Sequence, residues 1–78
     1  MSQPQHAAHP GDCTFLGTLG RFDLYLGPQG LPVPIVIARW GSGANFYQWP
    51  VDREPRSTVQ LEAFDHAVRL ARKKGYLD

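Results

Sequence analysis

The stretch PIVIARW, residues 34–40, decides the fold because it is apolar in both directions in which a strand points its side chains. A strand of this kind usually belongs to a sheet that is covered on both faces. The rest of the 78-residue chain predicts a single helix, and one helix covers one face of a sheet. The second face of this strand is therefore the feature on which a functional interpretation depends.

The predicted helix occupies the C-terminal stretch STVQLEAFDHAVRLARKKG, residues 57–75. Its apolar residues recur at steps of three and four and form one stripe: Leu61, Phe64, Ala67, Val68 and Ala71. Ser57 stands three residues before Gln60, a spacing typical of a capping box at a helix N-terminus. Gly75 follows a basic last turn and is expected to end the helix.

The strands are predicted from alternation and from turn residues. Residues 14–19 and 22–26 flank Gly20-Arg21, a two-residue loop with glycine first that favours a type II′ hairpin turn. The stretch GPQGLPVP is too rich in proline and glycine for regular structure and is expected to be a stiff connector. Strands at 34–40 and 45–49 follow, the last one stopped by Pro50. The fold class is therefore α+β, a three- or four-stranded antiparallel meander with one C-terminal helix on one face, β-β-β-β-α.

Composition sets the organisation of the chain. Residues 1–12 contain two prolines and no large apolar residue after Met1, which predicts a disordered arm before a single domain over 13–78. Cys13 is the only cysteine, which excludes an intrachain disulfide and favours a reducing compartment. The chain shows neither a signal peptide nor an apolar run of membrane-spanning length, so a cytoplasmic protein without membrane contact is expected. The formal charge of +1 argues neither for nor against nucleic acid.

No residue pattern predicts catalysis, a metal site or a cofactor. His6 and His9 with Cys13 supply no fourth ligand for a metal ion. Ser42 lies in a Gly-Ser-Gly turn with no histidine near it in sequence. His66 falls on the solvated arc of the helix. We therefore expect a protein that is not an enzyme and that uses no cofactor.

Residues on the second face of the sheet are the candidates for binding. Arg39 shares a side of its strand with Ile35 and Ile37, which indicates that this side faces outward, while Val36, Ala38 and Trp40 lie beneath the helix. Tyr25 belongs to the same outer side, and the last strand adds either Tyr47 and Trp49 or Phe46 and Gln48. The predicted partner-binding residues are Tyr25, Ile35, Ile37, Arg39, Tyr47 and Trp49. An apolar patch of this kind commonly marks an interaction site.

Three interpretations of this patch remain open at the level of sequence. The first is a protein interface, either with another protein or between two copies in a homodimer. The second is nucleic-acid binding, with Tyr25, Tyr47 and Trp49 stacking on bases and Arg39 or Arg21 meeting phosphates. The third is that the N-terminal arm or the proline-rich loop folds back and covers the patch. The first is favoured, because the chain is almost neutral and Asp23 shares the outer side.

Two resemblances accompany these residues. GRFDLYLGPQG with PIVIARWG, within residues 20–41, resembles small uncharacterised proteins of bacteria and their mobile elements. The shared pattern is Gly-x-Tyr/Phe-Asp-Leu-Tyr and then Pro-x-Val-Ile-Ala-Arg-aromatic-Gly. These relatives imply no function, although their context would suit an accessory or inhibitory factor. The helix after a small sheet also resembles the three-stranded DNA-binding domains of phage integrase arms, whose basic strands this sequence lacks.

Overall fold

The computed structural model describes residues 12–42 and 44–78, and the predicted N-terminal arm lies outside the described residues except for Asp12. The elements are β1 (Thr14–Leu19), β2 (Phe22–Leu26), β3 (Ile35–Trp40), β4 (Asn45–Pro50) and α1 (Thr58–Lys73). The four strands form one antiparallel sheet in the order β1-β2-β3-β4. Helix α1 packs on one face of this sheet, which confirms the predicted β-β-β-β-α architecture.

The turns and the connector agree with the sequence pattern. Gly20 has a φ of 58°, and no non-glycine residue described has a positive φ, as a type II′ turn requires of Arg21. The connector is tied to the sheet at both ends. The Gly27 N–H donates to the Ile35 carbonyl at 2.7 Å, and the Val51 N–H donates to the Pro34 carbonyl at 2.9 Å. β3 therefore begins at Ile35, and Pro50 is the last residue of β4 rather than the residue after it.

The core lies between α1 and the inner side of the sheet. Ala63, Ala67 and Ala71 follow one another at helical spacing and are fully buried, so the helix backbone approaches the sheet closely. The large members of the core cluster are Leu16, Phe22, Leu24, Leu26, Val36, Trp49, Phe64 and Val68. The predicted apolar stripe of the helix is thus buried against the sheet, except that Leu61 is only half-buried.

The close approach of α1 is visible at the edge strand β1. The pairing of β1 with β2 shifts between Phe15 and Gly17, which marks a β-bulge. Gly17 then lies beneath the helix, where a Cβ atom would stand 2.8 Å from Leu70 Cδ1. A side chain at position 17 would therefore displace the end of the Leu70 side chain, whereas glycine leaves it in place.

The predicted capping box of α1 is absent, whereas the predicted C-terminal end of the helix is present. Ser57 is the N-cap residue, but it makes no side-chain cap hydrogen bond, so the predicted capping box is wrong. The Gln60 side chain instead accepts a hydrogen bond from the Trp49 indole at 3.3 Å. At the other end Gly75 has a φ of 86°, and the Tyr76 N–H donates to the Ala71 carbonyl at 2.9 Å. This is a Schellman motif, and it confirms that Gly75 ends the helix.

Candidate functional site

The side of the sheet that faces away from α1 is called the outer face here. Its residues follow from strand alternation and from the pairing of the strands. They are Phe15 and Thr18 of β1, Asp23 and Tyr25 of β2, Ile35, Ile37 and Arg39 of β3, and Phe46, Gln48 and Pro50 of β4. The assignment of Ile35, Ile37 and Arg39 to this side, and of Val36 and Ala38 to the helix side, is confirmed.

A row of four cross-strand neighbours runs through the middle of the outer face. Phe15 pairs with Tyr25, Tyr25 with Ile37, and Ile37 with Gln48. The Phe15 and Tyr25 rings meet edge to face, with centroids 5.5 Å apart and an angle of 68°. The Arg39 guanidinium carbon lies 5.6 Å from the Tyr25 ring centroid, within the range of a cation–π contact. Tyr25 therefore has a ring contact with Phe15 on one side and a cation–π contact with Arg39 on the other, at the centre of this face.

Ile37 occupies the centre of this row and is only 3% exposed, although it is not part of the core cluster beneath the helix. Sequence alternation placed it correctly but predicted that it would be solvent-exposed. Its large neighbours explain the difference, because Tyr25 and Gln48 stand directly across from Ile37 on the two adjacent strands. Ile37 thus packs against its neighbours on the outer face and exposes little of its own side chain to a partner.

Two of the predicted binding residues lie on the opposite side of the sheet. Tyr47 pairs with Ala38, and Trp49 pairs with Val36, so both side chains point toward α1. Trp49 is buried, and its ring meets Phe64 edge to face with centroids 6.0 Å apart. This corrects the prediction that Tyr47 and Trp49 lie beside Ile37. Phe46 and Gln48, the alternative pair, take that place.

The exposed apolar residues of the outer face stand at its two sides. Phe15 is 53% exposed on β1, and Phe46 is 42% exposed on β4. The predicted binding residues do not include Phe15, because the sequence pattern does not assign the side chains of β1 to either face of the sheet. Its strand carries a bulge, and a count of alternate positions through a bulge gives the wrong side. The only signal in the sequence was Gly17, since an isolated glycine in a strand often marks such a bulge.

An open groove of about 460 Å³ lies at the end of the outer face where β3 begins. Residues 31–33 of the connector form one wall, and Ile35 and Pro50 of the sheet form the other. The charged residues Asp52 and Arg53 also line the groove. Leu31 is 40% exposed here. The proline-rich connector therefore borders the outer face and leaves Phe15 and Phe46 exposed. The interpretation in which the N-terminal arm covers the outer face concerns residues 1–11, which lie outside the described residues.

Charge is sparse on the outer face. Arg39 of β3 and Asp23 of β2 are direct cross-strand partners, so the positive charge has an opposite charge beside it. Several of the remaining basic residues, among them Arg69, Arg72 and Lys73, lie on the exposed arc of α1. The outer face thus has no excess of positive charge.

Cys13 lies next to the start of β1 and is half-buried. Burial is the main reason that the pKa of its thiol is raised, and the neighbouring Asp12 carboxylate raises it further. The Arg39 guanidinium acts in the other direction and lowers it. A thiol with a raised pKa is a weak nucleophile at neutral pH.

The structure adds two findings about absent features. Among residues 12–42 and 44–78, no group of three His, Cys, Asp or Glu side chains is arranged to hold a metal ion. Within the same residues, no helix has the length and apolar character needed to cross a membrane.

Comparison of the chain with protein-family models, with curated proteins and with solved structures gives no match. The chemistry of the outer face is therefore the basis on which a function can be argued.

Proposed function

We propose that this is a non-enzymatic binding protein that recognises another protein through its outer face. The observation that carries the proposal is the pair of exposed phenylalanines, Phe15 and Phe46, on either side of the Tyr25–Arg39 pair. Exposed aromatic residues around a preorganised aromatic and an arginine are the composition of interface hot spots. The lone thiol of Cys13 supports a reducing, cytoplasmic setting for this binding.

The chemistry of the partner follows from the shape and charge of the face. A complementary surface would present apolar side chains to Phe15 and Phe46, and one more to the groove between residues 31–33 and Pro50. It would be close to neutral where it meets Arg39 and Asp23, because these two charges already stand beside each other. An apolar segment of another protein fits this description, and the bacterial mobile-element resemblance would suit an accessory or inhibitory factor.

Nucleic acid is the competing partner, since Phe15, Tyr25 and Phe46 could stack on bases. Affinity for nucleic acid comes largely from cations that meet phosphates. Arg39 is the basic residue among those assigned to the outer face, and Asp23 is its neighbour. This charge balance favours a protein partner.

The test is affinity capture from lysate with the wild-type chain and two charge variants. Phe15→Asp places a carboxylate on the outer face, and Val59→Asp places one on α1, where Val59 is 55% exposed and away from that face. The two substitutions are matched in charge and exposure. We expect one protein to be retained by wild type and Val59→Asp, with and without nuclease, and lost with Phe15→Asp.

The proposal is wrong if Phe15→Asp retains the same proteins as wild type while circular dichroism shows both variants folded. Nuclease treatment that removes the captured protein would assign the face to nucleic acid instead.

A further inference from the structure

The edge of the sheet formed by β4 presents backbone groups that no strand among residues 12–42 and 44–78 pairs with. β4 is the last strand in the sheet order, and α1 packs mainly on β1, β2 and β3. Among the described residues, no strand lies beyond β4. An edge strand of this kind is a template for pairing with another chain unless the protein protects it.

The hydrogen-bond pattern shows which amides of β4 point outward. The Val51 N–H donates to the Pro34 carbonyl. Pro34 and Val51 extend the β3–β4 register by one residue, and they therefore form a hydrogen-bonded pair. Such pairs alternate along an antiparallel ladder. Trp49 and Tyr47 therefore bond to β3, while the backbone groups of Gln48 and Phe46 point away from the sheet.

Two further observations agree with this alternation of inward and outward backbone groups along β4. The Gly27 N–H donates to the Ile35 carbonyl, which directs the backbone groups of Ile35 and Ile37 toward β2 and leaves those of Val36 for β4. Pro50 has no N–H and stands at an outward position, where a proline removes no bond from the ladder.

The two edges of the sheet differ in protection. β1 carries the bulge between Phe15 and Gly17, a device that disrupts pairing at an edge. β4 pairs with β3 through six consecutive positions without an irregularity, and the stretch NFYQWP contains no charged residue. Its proline, Pro50, blocks only the last outward position of the strand. An uncharged strand meets no like-charge repulsion from a second copy of itself.

We propose that β4 pairs antiparallel with β4 of a second copy of this chain. The axis of two-fold symmetry passes beside Tyr47, and Phe46 of each copy lies opposite Gln48 of the other. Each of these pairs exchanges two backbone bonds, which gives about four across the interface. The register centred on Gln48 is poorer, because it sets Phe46 against Pro50, which has no N–H and whose carbonyl accepts from the Arg53 N–H at 3.1 Å.

Side chains on both sides of the junction fit this register. On the helix side Tyr47 is half-buried. Its ring stacks on Trp49 with centroids 5.6 Å apart and contacts the tilted ring of Trp40 at 4.8 Å, so each copy brings an aromatic group to the axis. On the other side Phe46 of one copy lies beside Gln48 of the other, which joins the two outer faces into one surface. The pairing does not depend on the proposed function of that face.

The test uses a substitution that removes an outward N–H and leaves the internal ladder intact. Gln48→Pro does this, because the Gln48 N–H is not donated to β3 and Pro50 already occupies the equivalent position. Gln48→Val is the matched control, since it removes the same side chain and keeps the N–H. In light scattering after size exclusion, wild type and Gln48→Val should have twice the mass of one chain, and Gln48→Pro should have half of that with an unchanged circular dichroism spectrum.

Hydrogen exchange on the wild-type chain tests the same pairing without a substitution. The Phe46 and Gln48 amides should exchange slowly at high protein concentration and faster on dilution, as the pair dissociates. The proposal is overturned if the wild-type chain has the mass of one copy at every concentration, or if Gln48→Pro keeps the doubled mass. It is also overturned if these two amides exchange equally fast at all concentrations. A doubled mass that Phe15→Asp halves, and Gln48→Pro does not, would place the contact on the outer face instead.

Discussion

Replacement of Phe64 by alanine tests the packing of α1 on the sheet. Phe64 is 5% exposed, and its ring meets the Trp49 ring at 88° with centroids 6.0 Å apart. Truncation of a buried phenylalanine costs about 3–5 kcal/mol, of which the ring pair accounts for about 0.5–1.5 kcal/mol. A chain of 78 residues has a free energy of unfolding of roughly 4–12 kcal/mol. The substitution should therefore remove at least about a quarter of the stability, and all of it if the protein is near the lower limit.

The measurement is urea unfolding followed by tryptophan fluorescence, which Trp49 makes sensitive to this contact. With an m-value of about 1 kcal/mol/M, the midpoint should fall by roughly 3–5 M, or the variant should be unfolded without urea. Val59→Ala on the same helix is the control, because Val59 is 55% exposed and its truncation should change stability by about 0.5 kcal/mol or less. A Phe64→Ala variant that unfolds cooperatively with a loss below about 1 kcal/mol would refute the helix-on-sheet packing.

Two further substitutions test the outer face. Ile37→Asp should cost about 3–5 kcal/mol in urea unfolding, the cost of an uncompensated buried charge, because Ile37 is only 3% exposed, and a loss within about 0.5 kcal/mol would show that Ile37 is a surface residue. Arg39→Ala should raise the pKa of the Cys13 thiol, because the guanidinium now lowers it, so alkylation of Cys13 at a fixed neutral pH should slow. An unchanged or faster alkylation rate would show that Arg39 does not act on this thiol.

The parts of the fold that sequence predicted are those in which one local pattern decides. The apolar stripe of the helix can face only the core. Arg39 indicated which side of the strand PIVIARW points outward, since a charged side chain is disfavoured on the covered side of a sheet. The strand after it had no such marker. In an antiparallel pair a shift of one residue moves every side chain to the other face, and the turn between Trp40 and Asn45 sets that register. The sequence therefore does not decide whether Tyr47 and Trp49 or Phe46 and Gln48 point outward.

Two other features could not be predicted because they depend on tertiary contacts. The spacing of Ser57 and Gln60 is typical of a capping box, but the Gln60 side chain bonds to the Trp49 indole, a partner 11 residues earlier in the chain. The burial of Ile37 depends on side chains that the sheet brings across from two other strands. Alternation predicts the direction of a side chain, whereas its exposure depends on its neighbours.

Site-specific photo-crosslinking in the cells that produce the protein tests the central claim most directly. A benzophenone-bearing phenylalanine analogue replaces Phe15 or Phe46 on the outer face, or Val59 on α1 as the control. The account predicts a covalent adduct with one and the same partner protein from positions 15 and 46, and none from position 59. Position 46 should also give an adduct between two copies of the chain, because Phe46 lies opposite Gln48 of the second copy in the proposed β4 pairing. Adducts with nucleic acid, the same adduct from position 59, or no adduct from either outer-face position would contradict it.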